Sequence, residues 1–74
     1  MRYEYTDTFG GETNYSWVIR GEVNPPDSDL KTALRKARKE IGLTGCKGDI
    51  QLCMGDFISW KPRGMCTLLM IWSD

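Results

Sequence analysis

The sequence predicts an α+β fold in the order ββαβββ, a mostly antiparallel sheet with one amphipathic helix packed on one face. Three observations predict it. One segment, DSDLKTALRKARKEIG, has helical periodicity; the runs on either side alternate or hold strand-forming residues; and the connections are short and rich in Gly, Pro and Asp. Short links favour antiparallel neighbours, and a lone helix must bury its apolar stripe against the sheet. Seventy-four residues fit a single domain, 1–74, near the lower limit for a hydrophobic core without staples.

Arg2 to Thr6 alternates with Tyr3 and Tyr5 on one face and reads as a short first strand, placed at a sheet edge. Gly10-Gly11 supplies the positive φ angles of a reversal. Tyr15 to Glu22 resumes the alternation, with Tyr15, Trp17 and Ile19 on one side and Ser16, Val18 and Arg20 on the other, so the pair reads as a hairpin. Pro25-Pro26 ends the second strand, because proline cannot donate to a ladder.

Leu30, Ala33, Leu34, Ala37 and Ile41 form the helix's apolar stripe, and Lys31, Arg35, Lys36, Arg38 and Lys39 fill the remaining circumference. Asp27 or Ser28 is the expected N-cap, Asp29 adds favourable charge beside it, and Gly42 terminates the helix. Three strands follow: Asp49 to Met54, Phe57 to Lys61 and Met65 to Trp72, separated by Gly55-Asp56 and by KPRG. The last run is apolar on both faces, as a central strand should be.

Ten acidic and ten basic residues cancel, yet residues 1–29 hold six acids against Arg2 and Arg20, while residues 30–74 hold eight bases against four acids. A dipolar molecule follows. Its zero net charge argues against a dedicated nucleic-acid binder, which is usually clearly basic. Cys46, Cys53 and Cys66 are odd in number and follow no secretory signal, so a reduced, cytoplasmic protein is expected, with Cys53 and Cys66 as small buried strand residues. The longest uncharged run, GMCTLLMIWS, has 10 residues, short of the roughly 20 a membrane-spanning helix needs.

No histidine is present, which removes the commonest general base, nucleophile partner and metal ligand. The cysteine spacing does not fit a structural metal site, and GLTGCKGD lacks the spacing, hydroxyl and following helix of a phosphate-binding loop. The acids Asp7, Glu12, Asp49 and Asp56 read as solvated turn residues. The expectation is therefore no enzyme, no catalytic residues, no metal and no cofactor.

Surfaces remain. Lysine and arginine on an outer helix face first of all keep a good helix soluble; as a docking surface, Lys31, Arg35, Arg38 and Lys39 would meet phosphate or an acidic protein patch. Most of Tyr3, Tyr5, Tyr15, Trp17, Phe57, Trp60 and Trp72 must be core, but one helix covers one face only. The rings left on the other face could meet a protein or stack on single-stranded nucleic acid. The acidic loop, whose glycines first of all serve the turn, is a third surface: Asp7, Glu12 and Glu4, with Tyr15 nearby, would mimic phosphates or meet a basic partner. Unpaired sheet edges also allow a homodimer.

The run YEYTDTFGGETNYSWVIRGE, followed by a helix and the ending RGMCTLLMIW, resembles small accessory proteins of bacterial mobile elements, phage or plasmid, among which are the anti-CRISPR families. That resemblance implies a bacterial cytoplasm, a protein partner such as a CRISPR-Cas defence complex, no cofactor and no catalytic residues. The reading is a non-enzymatic interaction protein, an inhibitor acting on a protein surface. The alternative is a small nucleic-acid-binding module using the basic helix face or the aromatic sheet face.

Overall fold

The computed structural model describes residues 1–73. Strands β1 (Arg2–Phe9), β2 (Glu12–Glu22), β3 (Gly48–Cys53), β4 (Phe57–Pro62) and β5 (Thr67–Trp72) form one sheet in the order β2-β1-β5-β4-β3, with every pair antiparallel. Helix α1 (Leu30–Glu40) lies across β4 and β5. The ββαβββ order and the α+β class are those the sequence predicts.

The hairpin is longer than the sequence suggests. Phe9 pairs directly with Glu12, and Gly10 and Gly11 have φ of +63° and +86°, the two positive values a type I′ turn requires. β1 is an interior strand, contrary to its expected place at the edge. β5 returns between β1 and β4, and its apolar residues on both faces suit that central position.

The helix is capped by Asp29, not by Asp27 or Ser28. Asp29 has extended backbone (φ −92°, ψ 129°), and its carboxylate accepts from the Thr32 N–H at 3.3 Å. Ser28 is left-handed (φ +54°) and donates its N–H to the Pro25 carbonyl, while Asp27 accepts from the Asp29 N–H. At the other end, Gly42 (φ +81°) donates to Lys39 O and Leu43 donates to Arg38 O, the paired bonds of a Schellman motif. Leu43 packs against the core beyond it.

Five strands at about 4.8 Å spacing make a sheet roughly 19 Å across, whereas a helix with its side chains is about 10 Å wide. Leu30, Ala33, Leu34 and Ala37 bury Ile58, Leu69 and Ile71 beneath the helix, and two aromatic rings extend that cover sideways. Tyr3 lies over Gly21 of β2, and its hydroxyl donates to Glu40 at 3.0 Å. Trp60 lies over Gly48 of β3 beneath the Arg38 guanidinium, whose carbon is 4.2 Å from the ring centroid. Burial first, and then the bond to Glu40, raises the Tyr3 phenol above its ordinary value.

Both glycines are sterically required. A Cβ on Gly21 would fall 2.5 Å from the Tyr3 hydroxyl, and one on Gly48 would meet the Trp60 ring and lie 2.5 Å from the Lys61 carbonyl oxygen. Gly21→Ala and Gly48→Ala should each destabilise by about 1–3 kcal/mol through overpacking. Gly45→Ala, with nothing within 4 Å of its Cβ, should stay within about 0.5 kcal/mol of the parent. Denaturant melts of the three variants check this, and equal midpoints would remove the packing argument.

Candidate interaction site

The sheet register divides the side chains into two layers. Tyr3, Tyr5, Ile58, Trp60, Leu69 and Ile71 face the helix. The opposite, open face is built in rows: Arg2 beside Glu22, Trp72 and Phe57; Glu4 beside Arg20 and Met70, then Ser59 and Leu52; Thr6 beside Val18 and Leu68. Met70, Ser59 and Thr6 are buried on this face although no second layer of structure covers it among the described residues.

Two side-chain clusters organise the open face. The Arg2 guanidinium carbon lies 4.3 Å from the centroid of Trp72, whose ring meets Phe57 at 5.4 Å in a tilted pair. Beside them Glu4 accepts from Arg20 Nε at 2.9 Å and from the Tyr15 hydroxyl at 2.8 Å. Arg20, and then Tyr15, hold the Glu4 carboxyl below its ordinary value, while Glu4 raises the Tyr15 phenol. At one end Thr8, Gly11, Gln51, Lys61 and Leu68 line a depression of about 270 Å³.

Tyr15 reaches this face because β2 is irregular. Thr6 pairs with Val18 and Thr8 with Thr13, so residues 14–17 of β2 stand opposite Asp7 alone. Tyr15 takes φ +55°, and the regular alternation that would set it beside Trp17 and Ile19 is broken. Asp7 holds the bulge: it accepts from Asn14 Nδ2 at 2.9 Å, Ser16 N at 3.0 Å and Ser16 Oγ at 2.6 Å. Trp17 stays on the helix side, its ring 5.3 Å from Tyr5.

The other residues singled out by sequence separate. Lys31, Arg35 and Lys39 are exposed on the outer helix face, and Arg35, Lys36, Lys39 and Thr44 line a groove of about 390 Å³. Arg38 does not join them as a contact residue. It turns inward onto Trp60 and donates to the carbonyls of Leu43 and Cys46, tying the helix end to the following loop. Glu12 is exposed opposite Phe9, apart from the Glu4 cluster. Phe9, 81 % exposed at the hairpin tip, lies beyond Thr6, where the alternation of Tyr3 and Tyr5 ends the first strand in the sequence, and so is not among its candidates.

Cys53 and Cys66 are exposed, not buried, and Cys66 lies in the turn before β5. An edge strand buries little, and the reversal at Gly64 (φ +76°) delays the last strand to Thr67. Among the described residues no three Cys, Asp or Glu side chains group closely enough to hold a metal ion, and no helix is long and apolar enough to cross a membrane. Comparison of the chain with protein-family models, with curated proteins and with solved structures finds no match.

The Asp7 hydrogen bonds make an acid-stability prediction. Donation from Ser16, then Asn14, lowers the Asp7 carboxyl from 3.8 to about 2. Between those values the unfolded chain binds a proton that the folded chain does not, so this contribution is complete above the upper value and lost as pH falls through the lower. Asp7→Asn should lower the melting temperature at neutral pH and flatten its fall between about pH 4 and about pH 2. Thermal melts across that range check it; parallel curves for parent and variant would assign the acid sensitivity to other groups.

Proposed function

We propose that the chain is a non-enzymatic interaction protein that binds a protein surface with the open face of its sheet. The observation that carries this reading is the open face itself: Phe57, Trp72, Leu68, Val18 and Leu52 around buried Met70, with the Arg20–Glu4–Tyr15 cluster among them. Aromatic and Arg groups around an apolar centre, with hydrogen-bonding groups at fixed positions, have the composition of a protein-binding patch. Inhibition of a bacterial defence complex such as CRISPR-Cas, by occupying a subunit surface, is the action proposed for it.

The charge distribution favours a protein over nucleic acid. Lys31, Arg35 and Lys39 lie on the helix, on the other side of the sheet from Phe57 and Trp72. Single-stranded nucleic acid needs cations and stacking rings in one groove. Here the helix cations lie in a different layer from the open-face rings, and the open-face arginines are engaged within the chain, Arg20 with Glu4 and Arg2 over Trp72.

Affinity capture from a phage-sensitive bacterial host expressing CRISPR-Cas checks the reading. Parent protein and the helix variant Lys31→Glu/Arg35→Glu/Lys39→Glu should recover the same protein, and Leu68→Lys/Trp72→Ala should recover roughly tenfold less, about 1.4 kcal/mol. Circular dichroism confirms that each variant folds. Loss on the helix variant alone, or recovery only of nucleic acid released by moderate salt, would replace the open face with the basic one.

A further inference from the structure

Among the described residues the sheet has two unpaired edges, and they differ. On the β2 edge four residues bulge opposite Asp7, Tyr15 is left-handed, and Glu12, Arg20 and Glu22 carry charge. Bulges and charges are the devices that stop an edge from accepting another strand. The β3 edge has few of them. From Ile50 to Gly55 it carries no charge, and Ile50, Leu52 and Met54 are 44 %, 48 % and 55 % exposed. Its one irregularity is a single extra residue between Ile50 and Leu52. The charge of Asp49 in β3 is matched by Arg63, which donates two hydrogen bonds to it at 3.1 Å and 3.0 Å.

We infer that β3 is a self-association edge, and that two copies of this chain join by antiparallel β3–β3 pairing into a continuous ten-stranded sheet. Three features select a second copy as the occupant. The Ile50–Gly55 segment opposes no like charges when it meets itself, and Asp49, which then faces Asp56 of the second copy, is matched by Arg63 of its own copy. The blunted β2 edge prevents head-to-tail growth, so the contact is isologous and closes at two. The helices also leave room for it. Each lies over β4 and β5, so across the two-fold axis the two axes stand on the order of 19 Å apart, twice the 8–10 Å of packed helices.

The contact consists of one six-residue strand edge and three exposed apolar side chains per copy. That is small against the roughly 1,200 Å² of total area typical of stable complexes, so the dimer forms in the micromolar range. Pairing would also join two open faces into one surface. This inference stands on the edges alone and does not depend on the partner-binding reading.

Sedimentation of the purified chain from low to high micromolar concentration tests it. The mass should rise from 8.5 kDa and level off at twice that value. Leu52→Lys, at a half-exposed position that leaves the fold intact by circular dichroism, should shift dissociation at least roughly tenfold toward monomer, while Ile19→Lys on β2 should not. In a Cys46→Ser/Cys66→Ser background, a short bis-maleimide should cross-link Cys53 between copies only where sedimentation shows dimer. A constant monomer mass overturns the proposal. So does growth beyond two copies, or a dimer that Ile19→Lys breaks and Leu52→Lys does not.

Discussion

A helix about half as wide as the sheet it covers is the constraint on which the rest of this structure depends. The central strands are buried by aliphatic contacts beneath α1, and the flanks are closed by rings lying flat over edge-strand glycines. Tyr3 reaches Gly21 on one side and Trp60 reaches Gly48 on the other. Each ring is secured from the last turn of the helix, by Glu40 and by Arg38. One short helix thus fixes a five-stranded sheet, and its C-terminal half is the part that does so.

The same arrangement sorts the surface. Once Arg38 is committed to Trp60, the basic face is reduced to Lys31, Arg35, Lys36 and Lys39, on one side of the sheet. Among the described residues, nothing forms a second layer on the other side. Rings, aliphatics and a buried methionine therefore collect there together with the ion pair between Arg20 and Glu4. Beyond the helix, the hairpin edge is protected by its bulge and charges, whereas the β3 edge is uncharged from Ile50 onward. The open face and the β3 edge are the surfaces that the core geometry leaves uncovered.

Much of the fold is legible in the sequence because it is written in local patterns. The apolar stripe from Leu30 to Ile41, the Gly10-Gly11 reversal and the prolines ahead of the helix each act within a few residues. What escaped is non-local. The interior place of β1 depends on where β5 returns, and no periodicity within β1 encodes it. Tyr15 changes face because Asp7, eight residues earlier, gathers Asn14 and Ser16 into a bulge. Arg38 has the spacing of an outward basic residue, yet the adjacent Trp60 ring and the Cys46 carbonyl draw it in. Of the proposed site, the aromatic character was readable and the register that assembles it was not.

Native-state hydrogen exchange of an Arg38→Met variant tests the central claim most directly. Methionine keeps an unbranched apolar stem but loses the cation over Trp60 and the donor to the loop, a change of about 0.5–2 kcal/mol by the usual strength of such contacts. If the helix end secures the flank through Trp60, amides from Gly48 to Cys53 lose protection while those of β1 and β5 keep it. Equal loss across all strands, or none in β3, would contradict the account.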